Sequence, residues 1–259
     1  MDGASRGPTL PTAVARQRGV ILVVLLGLAV AGWIVFLQQS RGPSGMGGGA
    51  GPDLTMGRSW PLFASTWVAM MVAMMFPAAA PMVVMYARIR RSDPSSVALF
   101  TGAYIVLWFA FGAIAYLVSA AVETGAQESA WVVMNWGRVG GGLLILAGIY
   151  QVTPVKDICL RHCRSPLAFV MGHWREGRLG AMKMGLHHGL YCMGCCWLLF
   201  LILIPLGVMN VAAMAAVAVL VFVEKVVPWG RPAARGAGVL LIVAGTAVAF
   251  APSLLPTVA

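Results

Sequence analysis

The sequence predicts an all-α membrane protein, a polytopic helical bundle of about seven transmembrane helices. Of its 259 residues, 60% are hydrophobic and only 10% are charged, and the mean hydropathy is +0.86. Soluble domains carry about 25% charged residues, so this composition excludes an ordinary soluble fold. The apolar residues also fall in runs of about 20, which is the length of helix that crosses a bilayer.

Seven apolar runs define the predicted spans, at residues 19–37, 61–86, 97–121, 131–151, 184–206, 208–227 and 236–256. The first run follows Arg16 and Arg18, is long for the apolar core of a signal peptide and has no small-x-small cleavage site, which predicts a signal anchor. Residues 40–59 are rich in Gly and Pro and predict a flexible outer loop. We therefore divide the chain into residues 1–59, an anchor helix with its loop, and residues 60–259, a six-helix metal-binding membrane domain.

The distribution of basic residues predicts the orientation. The formal net charge is +10, but the cations lie in short loops between apolar runs, which indicates membrane topology and no nucleic-acid partner. With the N-terminus inside and the C-terminus outside, 15 of the 18 basic residues face the cytoplasm. The three exceptions are Arg41, Arg58 and Arg138.

The fifth predicted span carries the strongest chemical signal, HHGLYCMGCC at residues 187–196. Ligand-type side chains are costly in hydrocarbon and therefore indicate a functional site. On a helix, four of these ligand-type side chains share one face: His188, Cys192, Cys195 and Cys196. His187 lies next to this face. Imidazole and thiolate together favour Cu(I), with Zn(II) as the alternative. One helix cannot surround an ion, so a low-coordinate Cu(I) site shared with another helix fits better than a closed zinc site.

The second predicted span is rich in methionine. Six of the chain's 16 methionines fall within residues 70–85, and Met71, Met74 and Met75 recur at helical spacing. Such a stripe ordinarily fills a core. Counting from opposite membrane faces, however, puts these methionines at the depth of the cysteines, about 13–20 Å below the inner surface. We therefore expect both faces to turn together around one metal ion.

The longest inner loop holds a second candidate group. Cys159, His162 and Cys163 share one face of a helix and are predicted to accept metal at the cytoplasmic side. Three basic neighbours are expected to lower the thiol pKa: Lys156, Arg161 and Arg164. We interpret His173 as structural, and the adjacent Glu224 and Lys225 as a pair that neutralises itself.

These motifs together resemble a bacterial family of predicted metal-binding integral membrane proteins, over about residues 60–228. The motifs that carry the resemblance are Trp67-x-x-Met70-x-x-x-Met74-Met75-x-Pro77, Tyr150-Gln-x-Thr-Pro154-x-Lys156-x-x-Cys159-x-x-x-Cys163-Arg, Gly189-x-x-Cys192-x-Gly194-Cys195-Cys196-Trp197, Gly207-x-Met209-Asn210 and Glu224-Lys225. The resemblance implies a multi-pass protein of the bacterial inner membrane, linked to copper delivery. It implies as partners a copper-dependent oxidase or a soluble copper carrier.

The leading hypothesis is thus a Cu(I)-handling membrane protein, a chaperone or transporter. The main alternative is a thiol–disulfide or quinone-linked oxidoreductase that uses the C-x-x-C of Cys192 and Cys195. A haem protein that uses His187 or His188 is disfavoured, because adjacent histidines cannot supply both axial ligands to one haem. The remaining alternative is a scaffold protein that binds no metal.

Overall fold

A computed structural model describes residues 10–40, 54–55, 57–90, 93–207 and 210–255, and over these ranges the chain is helical, without strands. The helices are α1 (Leu10–Ser40), α2 (Trp60–Ile89), α3 (Pro94–Glu128), α4 (Ala130–Gln151), α5 (Pro154–Arg164), α6 (Pro166–Gly172), α7 (Gly177–Leu201), α8 (Leu203–Leu206), α9 (Val211–Val226) and α10 (Gly230–Phe250). Most of the predicted glycine-rich loop lies outside the described residues, as do Arg41 and Met209.

Within those ranges, six helical segments are long and apolar enough to cross a membrane. They are Ala15–Ser40, Trp60–Ile89, Pro94–Ala126, Ala130–Gln151, Gly177–Leu206 and Gly230–Phe250. The prediction of an all-α membrane protein is therefore confirmed. The span predicted over 208–227 is not among the six, because α9 has only 16 residues.

Glycines set how the long helices pack. A Cβ added at Gly141 would lie 2.8 Å from the carbonyl oxygen of Gly245, and one at Gly238 would lie 2.8 Å from that of Gly148. The start of α10 thus meets the end of α4, and the two helices run antiparallel at a separation that only small residues permit.

Helix α3 lies between α2 and α7. Trp67 Nε1 donates to the carbonyl oxygen of Trp108 at 2.9 Å, whereas Tyr86 stacks on Phe100 with ring centroids 4.5 Å apart, so α2 and α3 are antiparallel. Phe100 also faces Gly185 on α7, and Leu107 faces Gly189 further along, so α3 and α7 are parallel.

The short helix α5 begins where Thr153 Oγ1 accepts a hydrogen bond from the Lys156 backbone N–H, with Pro154 as the first helical residue. It packs against α7 and α9. At its end, Arg164 donates to the carbonyl oxygens of Glu224 at 2.5 Å and Pro228 at 3.0 Å. Arg164 therefore satisfies carbonyls that the end of α9 leaves unpaired, and it fixes α5 beneath α7 and α9.

Candidate metal centre

Helix α7 turns three thiols into the protein interior. Cys192, Cys195 and Cys196 are each only 1% exposed. The Cys195 and Cys196 sulfurs donate back to the carbonyl oxygen of Cys192, at 3.1 and 2.8 Å. The Cys192 sulfur makes no such bond along its own helix and is instead the atom on which neighbouring helices converge.

A fourth thiol arrives from α5. The buried Cys163 side chain lies close to Cys192 and Cys195, and its interaction with these two thiols, followed by burial, raises the pKa of Cys163 well above its usual value. Burial likewise raises the pKa of the half-buried Cys159, whose sulfur lies beside Gly194. The predicted lowering of these thiol pKa values is therefore wrong.

The basic neighbours fail to lower those pKa values because they are engaged elsewhere. Lys156 Nζ pairs with Glu224 at 2.7 Å. Arg161 pairs with Asp157 at 2.9 Å, and Arg164 binds backbone carbonyls at the end of α9.

The cation that does reach the thiols is Lys225, the second-last residue of α9. Its Nζ lies 2.8 Å from the Cys192 sulfur, 4.0 Å from the Cys196 sulfur and 3.9 Å from Met75 Sδ. The predicted Glu224–Lys225 pair is wrong. Consecutive helical residues point about 100° apart, so Glu224 faces Lys156 and Gln151 while Lys225 faces the sulfurs.

Two further helices contact the Cys192 sulfur. Met75 Sδ from α2 is 3.9 Å away, and the Tyr104 hydroxyl from α3 is 3.0 Å away. Met71 and Met74 are equally buried in the surrounding core. We use the name sulfur cluster for Cys163, Cys192, Cys195, Cys196 and Met75.

His188 precedes Cys192 by one helical turn. It is 3% exposed, and neither ring nitrogen has a hydrogen-bond partner. Its ring lies among three aromatic rings, those of Phe100, Tyr104 and Phe169. A buried imidazole with two unpaired nitrogens costs about 1–3 kcal/mol, and a metal ligand is one role that would explain it.

His162 and His187 lie elsewhere. The His162 ring stacks on Tyr191 at a centroid distance of 4.0 Å, and His187 packs against His173 at 4.5 Å. The predicted group of Cys159, His162 and Cys163 is thereby divided, with Cys163 facing the sulfurs and His162 facing the other imidazoles.

The sulfur cluster occupies different positions along its helices. Met75 lies at the middle of α2, and the three cysteines lie in the second half of α7. Helices α4 and α9 reach the cluster only with their ends, and at the end of α4 the Tyr150 hydroxyl donates to the carbonyl oxygen of Gly194. No three His, Cys, Asp or Glu side chains within the described ranges already surround one metal position. The Lys225 ammonium lies among the sulfurs instead, so an ion would have to displace it by a small movement.

Sequence reasoning missed Lys225 and Tyr104. A lysine near the end of an apolar run was a usable signal, because ionisable residues in such segments commonly have a buried partner. Tyr104 carried no signal, since one tyrosine in an apolar helix is ordinary.

The structure thus defines a class of protein: a polytopic helical membrane protein with a buried centre of thiols, a thioether and one ammonium group. The sequence model of the PpoB2 family, described as "Copper chaperone", matches residues 64–248. The chain therefore belongs to the PpoB2 copper chaperone family, which confirms the resemblance to a copper-delivery family and gives the protein a copper-related role. No curated protein and no solved structure matches the chain.

Proposed function

We propose that this protein is a membrane copper chaperone that holds Cu(I) in the sulfur cluster. The observation that carries the proposal is the convergence of Cys163, Cys192 and Met75, from three different helices, with the other thiols of α7. Thiolate and thioether are the ligands that select Cu(I). Ligands from several helices can also surround an ion, whereas a single helix presents its ligands to the ion from one side only.

Charge balance supports the same ion. Lys156 and Glu224 form a pair with side chains only 2% and 1% exposed, and they neutralise each other. Lys225 is left with the sulfurs as its partners. A Cu(I) ion held by two thiolates carries one negative charge, which the Lys225 ammonium cancels. The loaded centre is then neutral, as a low-dielectric interior requires.

His188 is the further ligand that we propose, because its nitrogens are unpaired one turn from Cys192. Cys159 is the proposed entry ligand. Its sulfur is partly exposed and lies against α7 at Gly194, between the surface and the buried thiols. Metal would move between such sites by ligand exchange and pass to a copper-dependent oxidase or to a soluble carrier.

We further propose seven crossings, with α9 as the sixth and the N-terminus in the cytoplasm. Helices α3 and α4 are joined by Ser129 alone and must run in opposite directions. Since α7 is parallel to α3, and α10 is antiparallel to α4, α7 and α10 run the same way. Only α9 lies between them to carry the chain back. A reporter fused at Ala259 is expected to be active outside the cytoplasm, and cytoplasmic activity would refute the topology.

The experiment that tests the copper site replaces Cys192 and Cys195 together by serine. The double variant should lose stoichiometric Cu(I) when purified in detergent under reducing, anaerobic conditions. Cys159→Ser removes only the proposed entry ligand, so it should reach the wild-type stoichiometry once it has been equilibrated with Cu(I). Copper is quantified against protein by elemental analysis, and folding is checked by circular dichroism.

Two results would contradict the proposal. Undiminished copper in a folded double variant would remove the sulfur cluster as the site. Wild-type protein that binds no copper but cycles a Cys192–Cys195 disulfide would favour the oxidoreductase.

A further inference from the structure

A second group of potential ligands lies outside the sulfur cluster and consists of three imidazoles. His162 comes from α5, His173 follows α6, and His187 lies on α7. The ring centroids of His173 and His187 are 4.5 Å apart, and those of His162 and His173 are 6.2 Å apart. Three separate segments therefore bring histidines to one place, which close sequence spacing alone cannot explain.

The hydrogen bonds of these rings leave nitrogen lone pairs free. His162 Nδ1 lies 2.9 Å from the carbonyl oxygen of Ile158, and His173 Nδ1 lies 3.1 Å from that of Phe169. A carbonyl can only accept, so each Nδ1 carries the proton, and in a neutral imidazole Nε2 then presents its lone pair. Metal-binding histidines are commonly oriented by this kind of bond to a backbone carbonyl.

Two of the three ring separations fall in the range of imidazoles that share an ion, although the three rings do not yet surround one position. With metal–nitrogen bonds of about 2.0–2.1 Å, two rings on one ion have centroids about 4.5–6.4 Å apart as the bond angle opens from about 90° to 180°. The observed 4.5 and 6.2 Å both fall in this range. The His162 ring now stacks on Tyr191 at 4.0 Å, and it would turn about its side-chain bonds to complete the site.

We propose that His162, His173 and His187 form a second metal site, separate from the sulfur cluster, which takes a Cu(II) or zinc ion. Imidazole without thiolate suits these borderline ions. His162 adjoins Cys163 in sequence, and His187 adjoins His188, so the site lies directly beside the proposed copper centre. His162 and His187 are both partly exposed, which gives an ion access from the protein surface.

The test uses Zn²⁺ as the probe and the full-length protein in detergent. Replacing His173 and His187 by phenylalanine keeps two aromatic rings in the packing but removes their nitrogens. This double variant should lose one equivalent of bound Zn²⁺, or bind it at least about 100-fold more weakly, while its Cu(I) stoichiometry stays unchanged. The Cys192→Ser/Cys195→Ser protein should show the opposite pattern, so failure of either site is distinguishable from failure of the other.

A single variant covers the case in which the double variant does not fold. His162→Gln, on the partly exposed side of α5, should weaken Zn²⁺ binding about 10-fold. Unchanged Zn²⁺ stoichiometry and Kd in folded His173→Phe/His187→Phe protein, or in His162→Gln protein, would overturn the proposal.

Discussion

Replacing Lys225 by methionine tests whether charge balance governs the sulfur cluster. The buried charged side chains in the described ranges are Lys156, Glu224 and Lys225. The first two cancel through their 2.7 Å contact, so Lys225 supplies the one charge left for the thiols. Methionine keeps a long side chain of soft character in the same place but removes that charge. A Cu(I) ion held by two thiolates would then leave one buried negative charge without a partner.

The magnitude follows from the burial of the pair. Removing one partner of a fully buried ion pair costs about 3–5 kcal/mol, because the other charge stays behind. The Cys192 sulfur is 2.8 Å from Lys225 Nζ, and both residues are buried. The lower figure, about 3 kcal/mol, corresponds to a loss of roughly 100-fold in Cu(I) affinity. Arginine at the same position keeps the charge and should lose much less.

The measurement is a competition titration against a chromophoric Cu(I) chelator under anaerobic conditions. Lys183→Met is the matched control, because it removes the same charge from an exposed position on α7. Copper affinity in Lys183→Met protein should equal that of the wild type. If Lys225→Met binds Cu(I) as tightly as the wild type, or more tightly, the ammonium competes with the ion and the charge argument is refuted.

Two further predictions use neighbouring residues as controls. Met75→Leu should weaken Cu(I) binding about 10-fold by removing the thioether that faces Cys192, whereas Met74→Leu should leave Cu(I) binding unchanged. Both substitutions should cost under about 1.5 kcal/mol in stability. Equal copper affinities of the two variants would show that Met75 only packs. Gly141→Ala should lower thermal stability in detergent by about 1–3 kcal/mol, because its Cβ would lie 2.8 Å from the carbonyl oxygen of Gly245. Gly142→Ala, with nothing within 4 Å, should have no such effect, and equal melting temperatures would contradict the proposed α4–α10 packing.

The helices and the ligand-rich face of α7 were predictable because each depends on local pattern. Apolar run length predicts a spanning helix, and the spacing of Cys192, Cys195 and Cys196 places them on one side of it. All three are buried, as such a pattern requires. The sequence also predicted that a second helix contributes to the metal site. Met75 Sδ of α2 does lie 3.9 Å from the Cys192 sulfur, and the metal that the two helices would share stays a prediction.

The partners of charged residues were not predictable in the same way. Glu224 and Lys225 are adjacent in sequence and opposite in charge, yet they bind different partners because helical geometry turns them apart. Similarly, Cys163 and His162 share a helix face only approximately, and the packing of α5 against α7 sends one to the sulfurs and the other to the imidazoles. Long-range packing decides such contacts, and local spacing does not encode it.

Length alone does not decide the proposed crossing by α9. Its 16 residues fall short of a typical span, yet the run predicted over 208–227 was apolar enough to be read as one. The directions of α4, α7 and α10 carry the argument for a crossing, and they depend on glycine contacts between residues nearly 100 positions apart in sequence, such as Gly148 with Gly238. Hydropathy alone cannot predict these long-range contacts or the helix directions that depend on them.

The single ammonium group also bears on which ion the sulfur cluster selects. Cys195 and Cys196 donate their S–H protons to the Cys192 carbonyl oxygen, so the Cys192 sulfur is the one that faces Lys225 as an acceptor. A monovalent ion needs one further thiolate to give a neutral centre beside Lys225. A divalent ion needs two, and each further ionisation requires breaking a buried hydrogen bond. We therefore expect the cluster to retain Cu(I) in the presence of a molar excess of Zn²⁺. Equilibrium dialysis of the His173→Phe/His187→Phe protein against both metals measures this without the imidazole site. Stoichiometric zinc in place of copper there would refute charge balance as the basis of selection.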